Sequence, residues 1–283
     1  MLAQSIGTWA LIVILASPGS AAEGDEPLPA GDQKIHCPEC RREGLDVAQL
    51  HKNADRLYAQ FKAKEAAVEL LKILRAEPQN FEALAKLSRA YIDIGDSISE
   101  SSTNWKERRL KEYRTAEDFA RRAVKVDPNS TWGHFYVAAS LGNIAVISPV
   151  PRQVELAGEI REALEKSIAL DSGNGFAYHA YGVWHRKMAE IGQMSRMFAS
   201  VLYGRSLPAG SMGESIEYLK KAITINPTVI ISRLELARTH AALEEWPAAR
   251  SLLSSIRNLP VRFSDDAKHK QKAEELLEEI KDR

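Results

Sequence analysis

The sequence predicts an all-α protein folded as an α-solenoid of stacked helix pairs, and three observations support this prediction. Segments typical of helix ends begin at Glu77, Asp127, Asp171 and Asn226, so they recur at intervals of 50, 44 and 55 residues. Between them, apolar residues follow the three- and four-residue spacing of one helix face. No alternating apolar and polar pattern of the kind that strands show accompanies them.

The recurring segments have a physical reason to end helices. Proline cannot continue a helix, and glycine, asparagine, aspartate and serine favour helix ends and turns. The intervals exceed the roughly 34 residues of a plain tetratricopeptide repeat, so we expect each unit to carry an insertion between its first and second helix. The four segments are Glu77-Pro78-Gln79-Asn80, Asp127-Pro128-Asn129-Ser130, Asp171-Ser172-Gly173-Asn174 and Asn226-Pro227-Thr228.

The stretch from Gly175 to Pro227 shows the repeat most clearly. In a tetratricopeptide unit, a small residue lets the two helices approach closely and a large apolar neighbour fills the space beside it. Trp184 lies two residues after the small position and is therefore expected in the core, and residues 188–213 are the insertion of this unit. The matching residues are Tyr181 and Gly182 on the first helix, and Leu219, Ala222 and Pro227 on and after the second.

The other units follow from the same pattern. The predicted organisation is about five tetratricopeptide-type helix pairs plus a C-terminal capping helix over residues 45–283, because a solenoid must shield its last apolar surface. The units are Val47–Pro78, with Ala54 at the small position; Phe81–Pro128; a third from Phe135 to Leu170 with a loop at Ser148-Pro149-Val150-Pro151; Gly175–Pro227; a fifth from Leu234 to Pro260; and a cap from Asp265 to about Ile280.

The residue pattern near the N-terminus predicts that the protein is exported. Trp9 to Ala16 form a short apolar run, and the small residues Ser20, Ala21 and Ala22 follow it, which is the order of a secretory signal peptide. A membrane anchor needs about 20 apolar residues, and this run is shorter. We therefore expect residues 1–22 to be cleaved and the mature chain, without a membrane span, to be periplasmic or secreted.

The only two cysteines, Cys37 and Cys40, lie in a predicted linker at residues 23–44 that is rich in Gly, Pro, Asp and Glu. In an oxidising compartment this Cys-x-x-Cys pair favours a small-loop disulfide. A zinc site needs about four ligands, and no second cysteine pair supplies them. A redox or metal-binding role through these two residues is the alternative function of another class.

Composition and motif spacing argue against nucleic-acid binding and catalysis. Lys plus Arg and Asp plus Glu both number 38, whereas a chain that binds phosphates is expected to be basic. His179 and His185 are six residues apart, unlike the four-residue spacing of a metal pair on a helix. No Ser-His-Asp or Cys-His arrangement has a local signature. We therefore expect no nucleic-acid partner, no cofactor and no enzyme activity.

Several motifs go beyond the general repeat pattern. They are Gly182-Val183-Trp184-His185, Leu202-Tyr203-Gly204, Pro208-Ala209, the stretch from Glu214 to Ala222, Leu234-Glu235-Leu236-Ala237, and Leu259-Pro260 with Asp265-Asp266. Together they resemble the regulator of microtubule dynamics family, over about Glu69 to Leu277. The resemblance implies an all-helical tetratricopeptide-type protein without defined catalytic residues, whose eukaryotic relatives are associated with microtubules or organelle contacts. A microtubule-associated regulator is thus the alternative function, although an exported chain would not meet tubulin.

Polar and aromatic residues on the first helices are the candidate partner-binding residues. Side chains three to four residues apart, away from the packing contacts, face the concave groove of a solenoid. Cations there meet carboxylates of a peptide, and rings hold its apolar side chains; the alternative for each residue is a solvated face or packing between repeats. The predicted function is a protein-interaction scaffold with a protein or peptide partner. The candidates are Arg89, Asp93, Trp132, Phe135, Asn143, His179, Arg186, Lys187 and Arg238.

Overall fold

A computed structural model describes residues 46–192, 201, 204 and 207–283. Within these residues the secondary structure is eleven α-helices without a strand, which confirms the predicted all-α fold class. The helices are α1 (Val47–Ala59), α2 (Ala63–Ala76), α3 (Phe81–Ser97), α4 (Trp105–Val126), α5 (Thr131–Ile147), α6 (Val150–Leu170), α7 (Gly175–Glu190), α8 (Met212–Ile225), α9 (Ile230–Ala242), α10 (Trp246–Ile256) and α11 (Asp266–Glu279).

The helices stack as a solenoid. Each packs against the helix before it and the helix after it along the chain. The first helices of successive pairs, α3, α5, α7 and α9, also contact one another. They therefore lie side by side and form one face of the solenoid, which we call the concave face, and the predicted groove belongs to this face.

The predicted helix-end segments separate the pairs. They lie between α2 and α3, α4 and α5, α6 and α7, and α8 and α9. The Asn80 side chain accepts a hydrogen bond from the backbone N of Ala83 at 2.9 Å, and that of Asn174 accepts one from Ala177 at 3.1 Å. Each asparagine satisfies a backbone donor that the first turn of a helix leaves unpaired, which is why a helix begins there.

The close approach predicted at Gly182 is present between α7 and α8. A Cβ atom at this position would lie 2.7 Å from Cγ of Leu219 and 3.1 Å from the backbone N of Leu219 and the backbone O of Ser215. Trp184 is fully buried, and its Nε1 donates to the carbonyl oxygen of Ala157 at 3.1 Å. The expected core role of Trp184 is therefore confirmed.

The third pair differs from its predicted form. Only Ser148 and Pro149 connect α5 to α6, whereas the sequence predicts a loop extending to Pro151. Val150 and Pro151 belong to the first turn of α6 instead, because proline is tolerated where the backbone N–H has no helical partner. The additional residues of this unit lengthen its helices to 17 and 21 residues.

The capping helix α11 covers the end of the solenoid as predicted, with Ala273 and Ile280 buried against α9 and α10. The segment before it has a further role that the sequence did not indicate. It turns back over the concave face, so that the ring of Phe263 lies 6.1 Å from that of Phe176 on α7. The C-terminal segment thus contributes to the same surface as the first helices.

Three sequence predictions concern residues outside the described part of the chain. The signal peptide at residues 1–22, the Cys37–Cys40 pair and the middle of the 188–213 insertion lie there, and they stay predictions. Among the described residues, no helix is both long enough and apolar enough to span a bilayer.

Candidate partner-binding cavity

The concave face contains a cavity of about 430 Å³ between α3, α5 and α7, closed on one side by Phe263. This size falls within the roughly 300–1,000 Å³ that ligand-binding pockets occupy. Apolar and aromatic side chains dominate its lining. The lining residues are Phe81, Glu82, Ala85, Lys86, Arg89, Ile92, Trp132, Phe135, Tyr136, Phe176, His179 and Phe263.

Aromatic rings form one wall of the cavity. The ring of Trp132 lies 5.8 Å from Phe135 and 6.1 Å from Phe176, which in turn contacts Phe263. Trp132 is 38% exposed although it is a large apolar residue. Rings that keep an accessible face beside a cavity are typical of surfaces that bind a partner.

Arg89 of α3 supplies a cation to the cavity. Its guanidinium carbon lies 4.0 Å from the ring centroid of Tyr58 on α1. Among the described residues no carboxylate lies within ion-pair distance of it, although Nζ of the neighbouring Lys86 lies 2.5 Å from Asp55 and 2.7 Å from Glu82. Burial lowers the pKa of Arg89, but a guanidinium stays charged in proteins. The cavity therefore contains a positive charge without a protein counter-ion in the described structure.

Three more predicted residues lie on the concave face but are buried. His179 lines the cavity, and its Nδ1 lies 3.2 Å from the Ser232 hydroxyl of α9. Asp93 and Asn143 lie further along α3 and α5, where Asp93 is 8% exposed and Asn143 is 5% exposed. Oδ1 of Asp93 and Nδ2 of Asn143 have no hydrogen-bond partner in the described structure.

The prediction for Arg186 needs a correction. Arg186 is buried, and its guanidinium pairs with Glu235 of α9 and with Glu190. Arg238 also pairs with Glu235, at 2.5 Å, while Lys187 pairs with Glu190 at 3.1 Å. Arg186 therefore holds α7 against α9 and does not face the groove as an available cation, because a carboxylate 49 residues away already neutralises it.

The buried pair is electrostatically favourable. Burial by itself raises the pKa of the Glu235 carboxyl, but Arg186 and Arg238 outweigh that effect and lower the pKa to about 2. Glu235 is thus ionised at neutral pH, with two cations beside it. These residues serve the packing of the solenoid.

Four of the nine predicted groove residues, Arg89, Trp132, Phe135 and His179, line the cavity together. Sequence reasoning missed Tyr58 and Phe176. Phe176 had a usable signal, since it lies two residues after the N-cap Asn174 as Trp132 lies two after the N-cap Ser130. No sequence pattern indicated Phe263, because this residue reaches the cavity only through the tertiary fold of the C-terminal segment. No lining residue belongs to a metal-binding group found in the described residues.

Comparison with known proteins identifies relatives. A family model described as regulator of microtubule dynamics protein 1-3 matches residues 50–281. Regulator of microtubule dynamics protein 1 of Caenorhabditis elegans is 25% identical over 178 residues, covering 63% of this chain and 78% of the worm protein. Regulator of microtubule dynamics protein 3 is 24% identical in Xenopus laevis, over 73% of this chain, and in Bos taurus, over 82%. The chain spans only 43% and 48% of these two longer proteins.

A solved structure shares the architecture. The crystal structure of a thermophilic TPR protein from Thermus thermophilus matches with a TM-score of 0.57 and 14% sequence identity, covering 80% of this chain and 98% of that one. At this identity the likeness establishes the fold alone. It confirms the tetratricopeptide-type solenoid that the repeat pattern predicts.

Proposed function

The chain belongs to the regulator of microtubule dynamics family, and from that premise we propose that it is a non-enzymatic scaffold whose concave cavity binds a segment of a partner protein. The observation that carries the proposal is Arg89. It lines the cavity, half-buried, with no carboxylate at ion-pair distance in the described structure. A partially desolvated cation beside an apolar cavity favours a ligand that brings its own anion.

The anion that fits is a carboxylate of the partner, from an Asp or Glu side chain or from a C-terminus. A guanidinium donates two parallel hydrogen bonds to a carboxylate, and such charge-assisted bonds are stronger than neutral ones. The Tyr58 ring holds the Arg89 guanidinium from one side, which limits its orientations. Arg89 is therefore oriented before a ligand arrives.

The aromatic wall supplies the second part of the recognition. The cavity between Trp132, Phe135 and Phe176 is large enough for a bulky apolar side chain. Burying such a side chain contributes about 1.5–3 kcal/mol, and stacking on the rings adds to it. The expected ligand is thus a peptide with one large apolar residue near one carboxylate.

A non-enzymatic role agrees with the residues of the cavity. The Ser–His contact beside it, between Ser232 and His179, resembles half of a nucleophile pair. However, Ser232 is 1% exposed and is not among the lining residues, so its hydroxyl does not reach a ligand there. This contact ties α7 to α9 instead.

A peptide selection tests the proposal. A displayed library of random peptides is selected on the immobilised full chain, and binding of the enriched peptides is then measured with purified variants. We expect peptides with an acidic and a large apolar residue, and we expect Arg89→Gln to weaken binding by about 1.5–3 kcal/mol, the usual worth of a hydrogen bond to a charged group. Arg114→Gln, at an exposed arginine on α4, is the matched control. Peptides that bind the Arg89 variant as well as the wild type would refute the proposed site.

The names of the curated relatives favour a second candidate, regulation of microtubules. In that case the partner is tubulin, and the chain should sediment with assembled microtubules in a manner that depends on Arg89. Cosedimentation of the wild type and of the two arginine variants decides this. Equal amounts of all three in the pellet would speak against a specific use of the cavity.

We propose export for the localisation, on the apolar run from Trp9 to Ala16 and the small residues before Glu23. The two candidate functions differ on this point, because an exported chain is separated from tubulin. Intact-mass measurement of the protein from its native cell should give a chain that begins at or near Glu23. A chain that retains Met1 in the cytosol would favour the microtubule candidate.

A further inference from the structure

A second polar cluster lies next to the cavity, at the start of α11. Asp265, Asp266 and His269 each offer a ligand atom, and these atoms lie within 4.8 Å of one another. All three residues are at least nine-tenths buried, with exposures of 4%, 1% and 1%. Charged groups are rarely buried like this unless they are paired or bind a metal.

In each of these side chains only one polar atom has a polar partner within the protein. Oδ2 of Asp266 accepts from the backbone N of Arg262 and of Phe263, at 2.7 and 2.8 Å, and Oδ2 of Asp265 lies 3.2 Å from Nε2 of His269. The other atoms, Oδ1 of Asp265, Oδ1 of Asp266 and Nδ1 of His269, have no hydrogen-bond partner in the described structure. Free ligand atoms thus remain on all three residues.

A further buried carboxylate lies on α3, outside this group of ligand atoms. Asp93 of α3 is buried, and its Oδ1 also has no hydrogen-bond partner in the described structure. Burial raises the pKa of Asp93 well above its usual value, and the nearby carboxylates of Asp96 and Asp265 raise it further. Asp96 itself accepts from the Tyr113 hydroxyl at 2.6 Å through its Oδ1. Asp93 is thus a neighbouring buried carboxylate and not a member of the group of ligand atoms.

Nearby cations do not balance this charge. Lys268 and Lys272 on α11, with Arg238 of α9, are the positive groups whose fields reach the cluster. Within the described residues, none of them lies at ion-pair distance from Asp93, Asp265 or Asp266; Arg238 pairs with Glu235. The cluster accordingly lacks a positive charge at its centre.

We propose that Asp265, Asp266 and His269 bind one divalent cation. Carboxylate oxygens with one imidazole nitrogen suit a first-row ion of the Mn²⁺ type, because carboxylates favour hard ions and imidazole favours transition metals. The cation would hold the start of α11 in place. It would also fix the segment that carries Phe263, since Asp266 holds the backbone of that residue, and so it would set the closed side of the cavity.

Mn²⁺ binding to the full chain tests this site, and Mn²⁺ is chosen because the thiolates of Cys37 and Cys40 favour softer metals. We expect one Mn²⁺ per chain by electron paramagnetic resonance, and a higher melting temperature with Mn²⁺ than without. Asp265→Asn should weaken Mn²⁺ binding about tenfold or more. Glu278→Gln, at an exposed position of the same helix, should bind as the wild type does.

Melting temperatures distinguish a metal-binding site from a cluster that is only structural and whose polar atoms lack hydrogen-bond partners. Without metal, Asp265→Asn removes a repelled charge, so its melting temperature should equal or exceed that of the wild type, and circular dichroism should show unchanged helicity. Adding Mn²⁺ should then stabilise the wild type and not the variant. Absence of Mn²⁺ binding at about millimolar concentration, or binding that Asp265→Asn does not weaken, would overturn the proposal.

Discussion

The close approach of α7 and α8 can be tested with two glycine-to-alanine substitutions that differ only in their surroundings. Gly182→Ala places a methyl group 2.7 Å from Cγ of Leu219 and 3.1 Å from two backbone atoms of α8. Gly158→Ala, on α6, places it where no atom lies within 4 Å. Alanine stabilises a helix by about 1 kcal/mol relative to glycine, and this gain applies to both positions. The clash applies to Gly182 alone.

The structure indicates how much the two variants should differ in unfolding free energy. Leu219 can turn its side chain, but the backbone of α8 can only move as a whole, so overpacking at Gly182 should cost about 1–3 kcal/mol. We expect Gly158→Ala to raise the unfolding free energy by about 0.5–1 kcal/mol and Gly182→Ala to leave it unchanged or lower it by up to about 2 kcal/mol. Urea unfolding followed by circular dichroism measures both. If Gly182→Ala is as stable as Gly158→Ala, the inferred helix contact is wrong.

Two further predictions concern the buried ion pair between α7 and α9. Arg186→Ala should lower the unfolding free energy by about 3–5 kcal/mol, because it leaves Glu235 charged without its main partner. The double variant Arg186→Met with Glu235→Leu should lose much less stability. If urea unfolding shows that Arg186→Ala is as stable as the wild type, the inferred ion pair is wrong. The folded pKa of Glu235, about 2, lies below its ordinary value of 4.5, so its stabilisation is complete above about pH 4.5 and is lost as the pH falls towards 2. The stability difference between wild type and Glu235→Gln should shrink over that interval, and a constant difference would refute the shift.

Local sequence signals were sufficient to predict the fold class. The helix-end segments, the small residue Gly182 and the buried Trp184 follow from backbone sterics and helix periodicity, which act within a few residues. Helix registers also placed Arg89, Trp132 and Phe135 on the concave face. Phe176 was within reach of the same reasoning, because it occupies the register of Trp132 in the next unit.

The rest of the site depends on contacts between residues remote in sequence. Arg186 has the spacing of a groove residue, yet its environment is decided by Glu235 on another helix. Phe263 lines the cavity because the segment before α11 turns back over the concave face, and periodicity contains no information about that turn. The group of Asp265, Asp266 and His269 follows the same turn. Such features require the tertiary structure.

Site-specific photocrosslinking shows whether a partner segment lies in the cavity of the concave face. A photoreactive amino acid replaces either Trp132, which is 38% exposed and lines the cavity, or Val126, which is 39% exposed at the end of the second helix α4. The two positions offer similar access to solvent, so unspecific capture should be equal. With a selected peptide that binds the wild type, we expect crosslinking at position 132 and not at position 126. Crosslinking at position 126 alone, or equally at both positions, would contradict it.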